Sequence, residues 1–124
     1  MKLYIAVLDE FPDYMVPTLV AHAVLGAHAS HSGCEDYDRW YQTSFKKCVV
    51  RVNQKEFDKI CALHGTYVGF EKKTLDGKPS CAIPIPCEND VLPNVLKFAK
   101  LWAPGQMKPA PINGNPCWEI KANE

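Results

Sequence analysis

Seven residues near the start, "KLYIAVL" (Lys2 to Leu8), carry apolar side chains on both alternating sets, with Leu3, Ile5 and Val7 on one and Tyr4, Ala6 and Leu8 on the other. A strand that is apolar on both faces belongs in the middle of a sheet covered from both sides. It ends in the acidic turn "DEFPD". Pro17 then stands where a helix tolerates proline, in a first turn that has N–H groups to spare. The run "VPTLVAHAVLGAHASH" predicts a helix from about Pro17 to His31, stopped by "SHSG".

Residues 33–44, "GCEDYDRWYQTS", read as a polar, aromatic loop. "FKKCVVRV" (Phe45 to Val52) predicts a second strand with Cys48, Val50 and Val52 on one face. Asn53 with Glu56 three positions later makes a capping box. Phe57, Ile60, Cys61 and His64 recur at helical spacing behind it, with Gly65 as the C-terminal cap. "TYVGF" (Thr66 to Phe70) predicts a strand, "EKKTLDGKP" a charged loop turning at Asp76-Gly77, and "SCAIPIP" a returning strand. A third helix is expected behind Asp90, with Pro93 in its first turn and Leu92, Val95, Leu96, Ala99 and Trp102 as its buried stripe.

The resulting order, β-α-β-α-β-β-α, predicts an α/β three-layer sandwich: a four-stranded, mixed, mostly parallel sheet with helices on both faces. Residues 1–102 form that domain. Residues 103–124 hold four prolines and two glycines and read as an extended C-terminal tail, pinned at Trp118.

Composition narrows the function. An apolar fraction of 47% supports a packed core rather than disorder. No apolar run approaches the roughly 20 residues that span a bilayer, and "MKLYIAVLDEF" lacks the pattern of a secretory leader. A cytoplasmic protein with no membrane partner is expected. Six cysteines without CxxC pairs read as buried or indifferent thiols. Fourteen basic residues balance fourteen acidic ones. A large nucleic-acid footprint, which relies on a basic excess, is thereby disfavoured, whereas a local patch is not.

Several residues invite chemistry. His22 lies inside the first helix, with Thr18, Gly26 and Ala29 on its side. It admits two readings: an imidazole donating to a backbone carbonyl, or the edge of a pocket. His28, His31 and Cys34 are spaced three apart, but Gly33 ends the helix before Cys34, and zinc needs three or four convergent ligands. No metal site and no cofactor are assigned. His64 suits the negative end of its helix. The loop "EKKTLDGKPS" offers a carboxylate (Glu71), three lysines (Lys72, Lys73, Lys78) and two hydroxyls (Thr74, Ser80) at strand ends, where open α/β sheets bind ligands. Asp9 and Glu10 end the first strand and are expected to face the same crevice. Arg39 and Trp40 in "DRWYQ" read as a base-stacking surface, or equally as a dimer contact or a loop anchor.

The order of elements together with "AHAVLGAHA", "KKCVVRV" and the strand ending "IPIP" resembles the type II peptidyl-tRNA hydrolase family over residues 2–102. The resemblance implies hydrolysis of the ester joining a peptide to the tRNA 3′ ribose. The family's helix histidine corresponds to His22. Its functional lysine falls at about Met15 and its helix glutamine at Leu19, so both are replaced here. Its later loop carries an aspartate, an Arg-Thr pair and a threonine, matched by Glu71, by Lys72, Lys73 and Thr74, and by Ser80. On this reading Glu71, His22 and Ser80 are catalytic, while Lys72, Lys73, Thr74, Lys78, Asp9, Thr18, Arg39 and Trp40 bind substrate. The alternatives are a binder or degrader of a small nucleotide, cyclic ones included, and a non-catalytic homodimeric interaction module.

Overall fold

The computed structural model describes residues 1–71 and 76–105. Five strands form one mixed sheet: β1 (Leu3–Leu8), β2 (Lys47–Val52), β3 (Tyr67–Glu71), β4 (Lys78–Ile83) and β5 (Lys100–Leu101), in the order β3-β4-β1-β2-β5. The helices are α1 (Val16–His31), α2 (Glu35–Gln42), α3 (Gln54–Cys61) and the single turn α4 (Asn94–Lys97). The class is α/β, as the alternation of patterns predicts.

β1 is the centre of the molecule. Leu3, Ile5 and Val7 are buried on one side, Ala6 and Leu8 on the other. That strand leads through α1 and α2 into β2, which lies parallel beside it from Leu3↔Lys47 to Leu8↔Val52. The other three strand pairs are antiparallel, correcting the expectation of a mostly parallel sheet. The reason is geometric. β3 follows a helical crossover and so runs in the direction of β1 and β2, but the hairpin partner β4 inserts between β3 and β1. Helical connections fix strand direction, and they do not fix adjacency.

Two further expectations are corrected. The segment expected to be a loop contains α2, with Tyr37 and Trp40 buried on its inner side and Glu35, Asp36 and Asp38 in its first turn. Those acids lie where the helix dipole favours negative charge. The last predicted helix is reduced to one turn. Past Phe98 the chain becomes extended, and Lys100 and Leu101 pair with β2, making five strands where four were expected. Trp102 N–H then donates to the Val49 carbonyl at 2.8 Å, closing that edge.

Other local signals match. Pro17 sits in the first turn of α1. The capping box is complete: Asn53 Oδ1 accepts from Glu56 N–H at 2.8 Å, and Glu56 Oε1 accepts from Asn53 N–H at 2.9 Å. Gly65 adopts φ +76° in the turn before β3 rather than directly capping α3, which ends at Cys61. Among the described residues no helix is long and apolar enough to cross a membrane. Of the expected tail, residues 106–124 lie outside the described residues. Gly105 N–H still reaches Asp13 Oδ2 at 2.6 Å.

Candidate functional site

α1 packs against β3, and the missing side chain at Gly26 leaves room for the Tyr67 ring. A Cβ on Gly69 would lie 3.5 Å from the Ala23 Cβ, and a Cβ on Gly26 would lie 2.0 Å from the Tyr67 hydroxyl oxygen. Tyr67, Gly69 and Glu71 alternate along one face of β3. That face meets α1 at Gly26, Ala23 and His22 in turn, so helix and strand are matched at three successive positions. The small residue beside His22 thus accommodates a tyrosine ring.

The third of these matches is polar. His22 Nδ1–H donates to Glu71 Oε1 at 3.1 Å, with Oε2 at 3.4 Å. The histidine side chain is 58% exposed and the carboxylate 8% exposed. A groove of about 200 Å³ opens over the pair, lined by Tyr14, Met15, Thr18, Leu19, His22 and Glu71. The two positions where the resembled family carries lysine and glutamine, Met15 and Leu19, line this same groove. With Nδ1–H committed to the carboxylate, the neutral imidazole carries its lone pair on Nε2. A histidine oriented by a buried carboxylate, with its other nitrogen open to a groove, is an arrangement able to accept a proton from a bound molecule.

The other nominated residues are dispersed. Thr18 is exposed in the groove. Lys78 is exposed and stands opposite Glu71 in the β3–β4 register. Ser80 is fully buried. The register passes from Gly69↔Cys81 to Phe70↔Pro79, so Ser80 is the extra residue of a β-bulge, and its hydroxyl donates to the Gly69 carbonyl at 3.3 Å. It supports the strand that holds Glu71 and does not line the groove. Lys72, Lys73 and Thr74 lie outside the described residues.

Asp9 does not share this crevice. It lines a separate cavity with Arg51, Asn53, Glu56, Phe98 and Lys100. Trp40 is buried at 2% exposure, donates from Nε1 to the Lys46 carbonyl at 2.7 Å, and packs against Tyr37 and Phe45. Of the readings open for it, the loop anchor describes its place. Arg39 is exposed and paired with Asp36 and Glu88, each at 3.2 Å. His28 shares a hydrogen bond with the Tyr37 hydroxyl, and buried His31 donates from Nε2 to the Ile83 carbonyl at 2.9 Å. Sequence reasoning missed Tyr14 as a groove-lining side chain, although its place just before α1 was the available signal.

Cys81 lies behind the site in β4. Burial, reinforced by the nearby Glu71 charge, pushes its thiol up to about 12. It is therefore neither a thiolate nor a nucleophile at neutral pH. The unfolded chain releases this proton near the ordinary cysteine value, while the folded chain holds it. The stability that burial of the neutral thiol contributes is present below that value and is lost as pH rises toward about 12. Urea midpoints measured across this range should fall with rising pH in the wild type and fall less in Cys81→Ala. Equal slopes would refute the assignment.

No family profile matches this chain, and no curated protein matches it.

Proposed function

We propose that the protein is a divergent hydrolase of the type II peptidyl-tRNA hydrolase kind, cleaving an acyl ester on a nucleotide-containing substrate. The observation that carries this reading is the His22–Glu71 pair at the base of an open groove. Support also comes from the convergence there of four positions that the resemblance nominates: Met15, Leu19, His22 and Glu71.

In the proposed reaction His22 Nε2 takes a proton from water, and the oxygen attacks the ester carbonyl. Glu71 stabilises the imidazolium that forms. The tetrahedral intermediate collapses by expelling the ribose oxygen, which recovers the proton from His22, leaving a free acid and a free hydroxyl. The Thr18 hydroxyl, exposed in the groove, is available to the developing oxyanion. Lysine and glutamine are replaced by Met15 and Leu19, so the groove offers fewer fixed charges to a phosphate backbone.

That last feature, with a net charge of zero, favours a second reading in which the ligand is a small nucleotide bound or cleaved in the same groove. Incubation with a model peptidyl-tRNA, and separately with linear and cyclic nucleotides, discriminates between them. Release of free tRNA supports the ester hydrolase, whereas nucleotide products alone replace it with the second reading. Absence of any product in both arms removes the enzymatic proposal.

A further inference from the structure

The separate cavity that contains Asp9 lies at the carboxyl ends of the two parallel strands. Leu8 and Val52 are level in the β1–β2 register, and the next residues, Asp9 and Asn53, both enter its wall. This is where open α/β sheets place ligands. The cavity measures about 430 Å³, twice the groove over His22.

Its charges are unusual. Arg51 and Lys100 stand directly opposite one another on β2 and β5, a like-charge pairing that costs stability without compensation. Arg51 is compensated in part: Nη2 donates to Asp13 Oδ1 at 2.9 Å and to the Ala103 carbonyl at 3.4 Å. Its side chain is only 9% exposed, and among the described residues its buried Nε–H has no partner. The neighbouring Trp102 ring, 5.4 Å from the guanidinium carbon, holds a second buried N–H that has no partner among the described residues. Both donors are buried from solvent and Trp102 does not line the cavity, so the charges open to a ligand are chiefly those of Lys100 and Asp9. Among the described residues Lys100 and Asp9 belong to no ion pair. Glu56 adds a second carboxylate, already engaged in the capping box.

Mixed charge excludes the simple ligands. Asp9 and Glu56 repel a phosphate, and Arg51 and Lys100 repel a metal ion or polyamine. A molecule carrying one charge of each sign is complementary to both halves. We propose that this cavity binds a small zwitterion of the free α-amino acid class. The carboxylate faces Lys100 and the Arg51 edge, and the ammonium faces Asp9. The side chain lies against Phe98, which is 73% exposed at the rim.

Titration of the full chain with L-phenylalanine, L-leucine and glycine, followed by amide chemical shifts, tests this. Saturable shifts are expected at Asp9, Asn53 and Lys100 at millimolar concentration, about the range of one or two exposed charge contacts. N-acetyl-L-phenylalanine and L-phenylalaninamide, each lacking one charge, should bind about tenfold more weakly, as should Lys100→Gln and Asp9→Asn. Glu71→Gln should bind the amino acids as the wild type does, which separates this site from the hydrolytic groove. The proposal is overturned if no amino acid shifts these amides, if either single-charge derivative binds equally well, or if inorganic phosphate or adenosine monophosphate shifts the same residues. Binding that survives both cavity substitutions overturns it as well.

Discussion

Glu71→Gln is expected to lower ester hydrolysis by about 10²–10⁴-fold, the usual contribution of general acid–base catalysis, with the melting temperature nearly unchanged. The substitution keeps the volume of a buried side chain and retains an oxygen that accepts from His22 Nδ1–H, now 3.1 Å from the carboxylate. What it removes is the negative charge that stabilises the imidazolium during proton transfer. The loss should therefore appear mainly in kcat, with KM little altered. His22→Ala should be at least as severe, and because His22 is 58% exposed its effect on folding should be small. Wild-type turnover in either variant would remove the pair from the mechanism. Matching losses in the two single variants and the double variant would show that they act as one unit.

Trp40→Ala is expected to have the largest effect on stability, about 3–5 kcal/mol, the range for deleting a buried aromatic side chain. The ring is 2% exposed, lies 5.2 Å from Tyr37 and 5.4 Å from Phe45 by centroid, and holds the Lys46 carbonyl through Nε1. Its removal empties the space between α2 and the start of β2, while the Lys46 carbonyl keeps its second donor, the Leu3 N–H at 2.9 Å. Trp40→Phe keeps most of the packing and should cost less, which separates the cavity from the hydrogen bond. Urea unfolding of both variants measures this. A stable Trp40→Ala protein with weakened nucleotide affinity would instead restore the stacking role that the sequence suggested for "DRWYQ".

Much of the fold was legible because its signals are local. β1 announced itself by apolar residues on both alternating sets, α1 by a first-turn proline and a long helical run, and α3 by its capping box. Two elements were obscured for different reasons. α2 presents eight residues of which five are polar or charged, and its helical signal rests on Tyr37, Trp40 and Tyr41 alone. At the other end, Leu92, Val95, Leu96, Ala99 and Trp102 satisfy a helical period, yet pairing with the open edge of β2 draws Lys100 and Leu101 into a strand. Tertiary hydrogen bonding overrode the local pattern there.

The site was half legible for a similar reason. Helical spacing placed Thr18 and His22 on one side of α1, and the resemblance nominated Glu71. That these meet depends on β3 lying under α1, which no spacing in the chain specifies. Asp9 was misassigned because ending a central strand does not say which neighbouring wall a side chain joins. Ser80 was misassigned because a bulge is invisible in sequence, so its hydroxyl was credited with chemistry rather than with a backbone carbonyl.

The contact of α1 with β3 at Gly26 ties a distant position to the His22–Glu71 pair. Since Gly26, Ala23 and His22 rest in sequence on Tyr67, Gly69 and Glu71, a methyl group added at Gly26 would displace the outer end of the Tyr67 ring one turn away from the imidazole. Where the ring swings aside the His22–Glu71 distance stays at 3.1 Å, and where it pushes back that gap opens like a hinge, by the thickness of what lies nearer the pin.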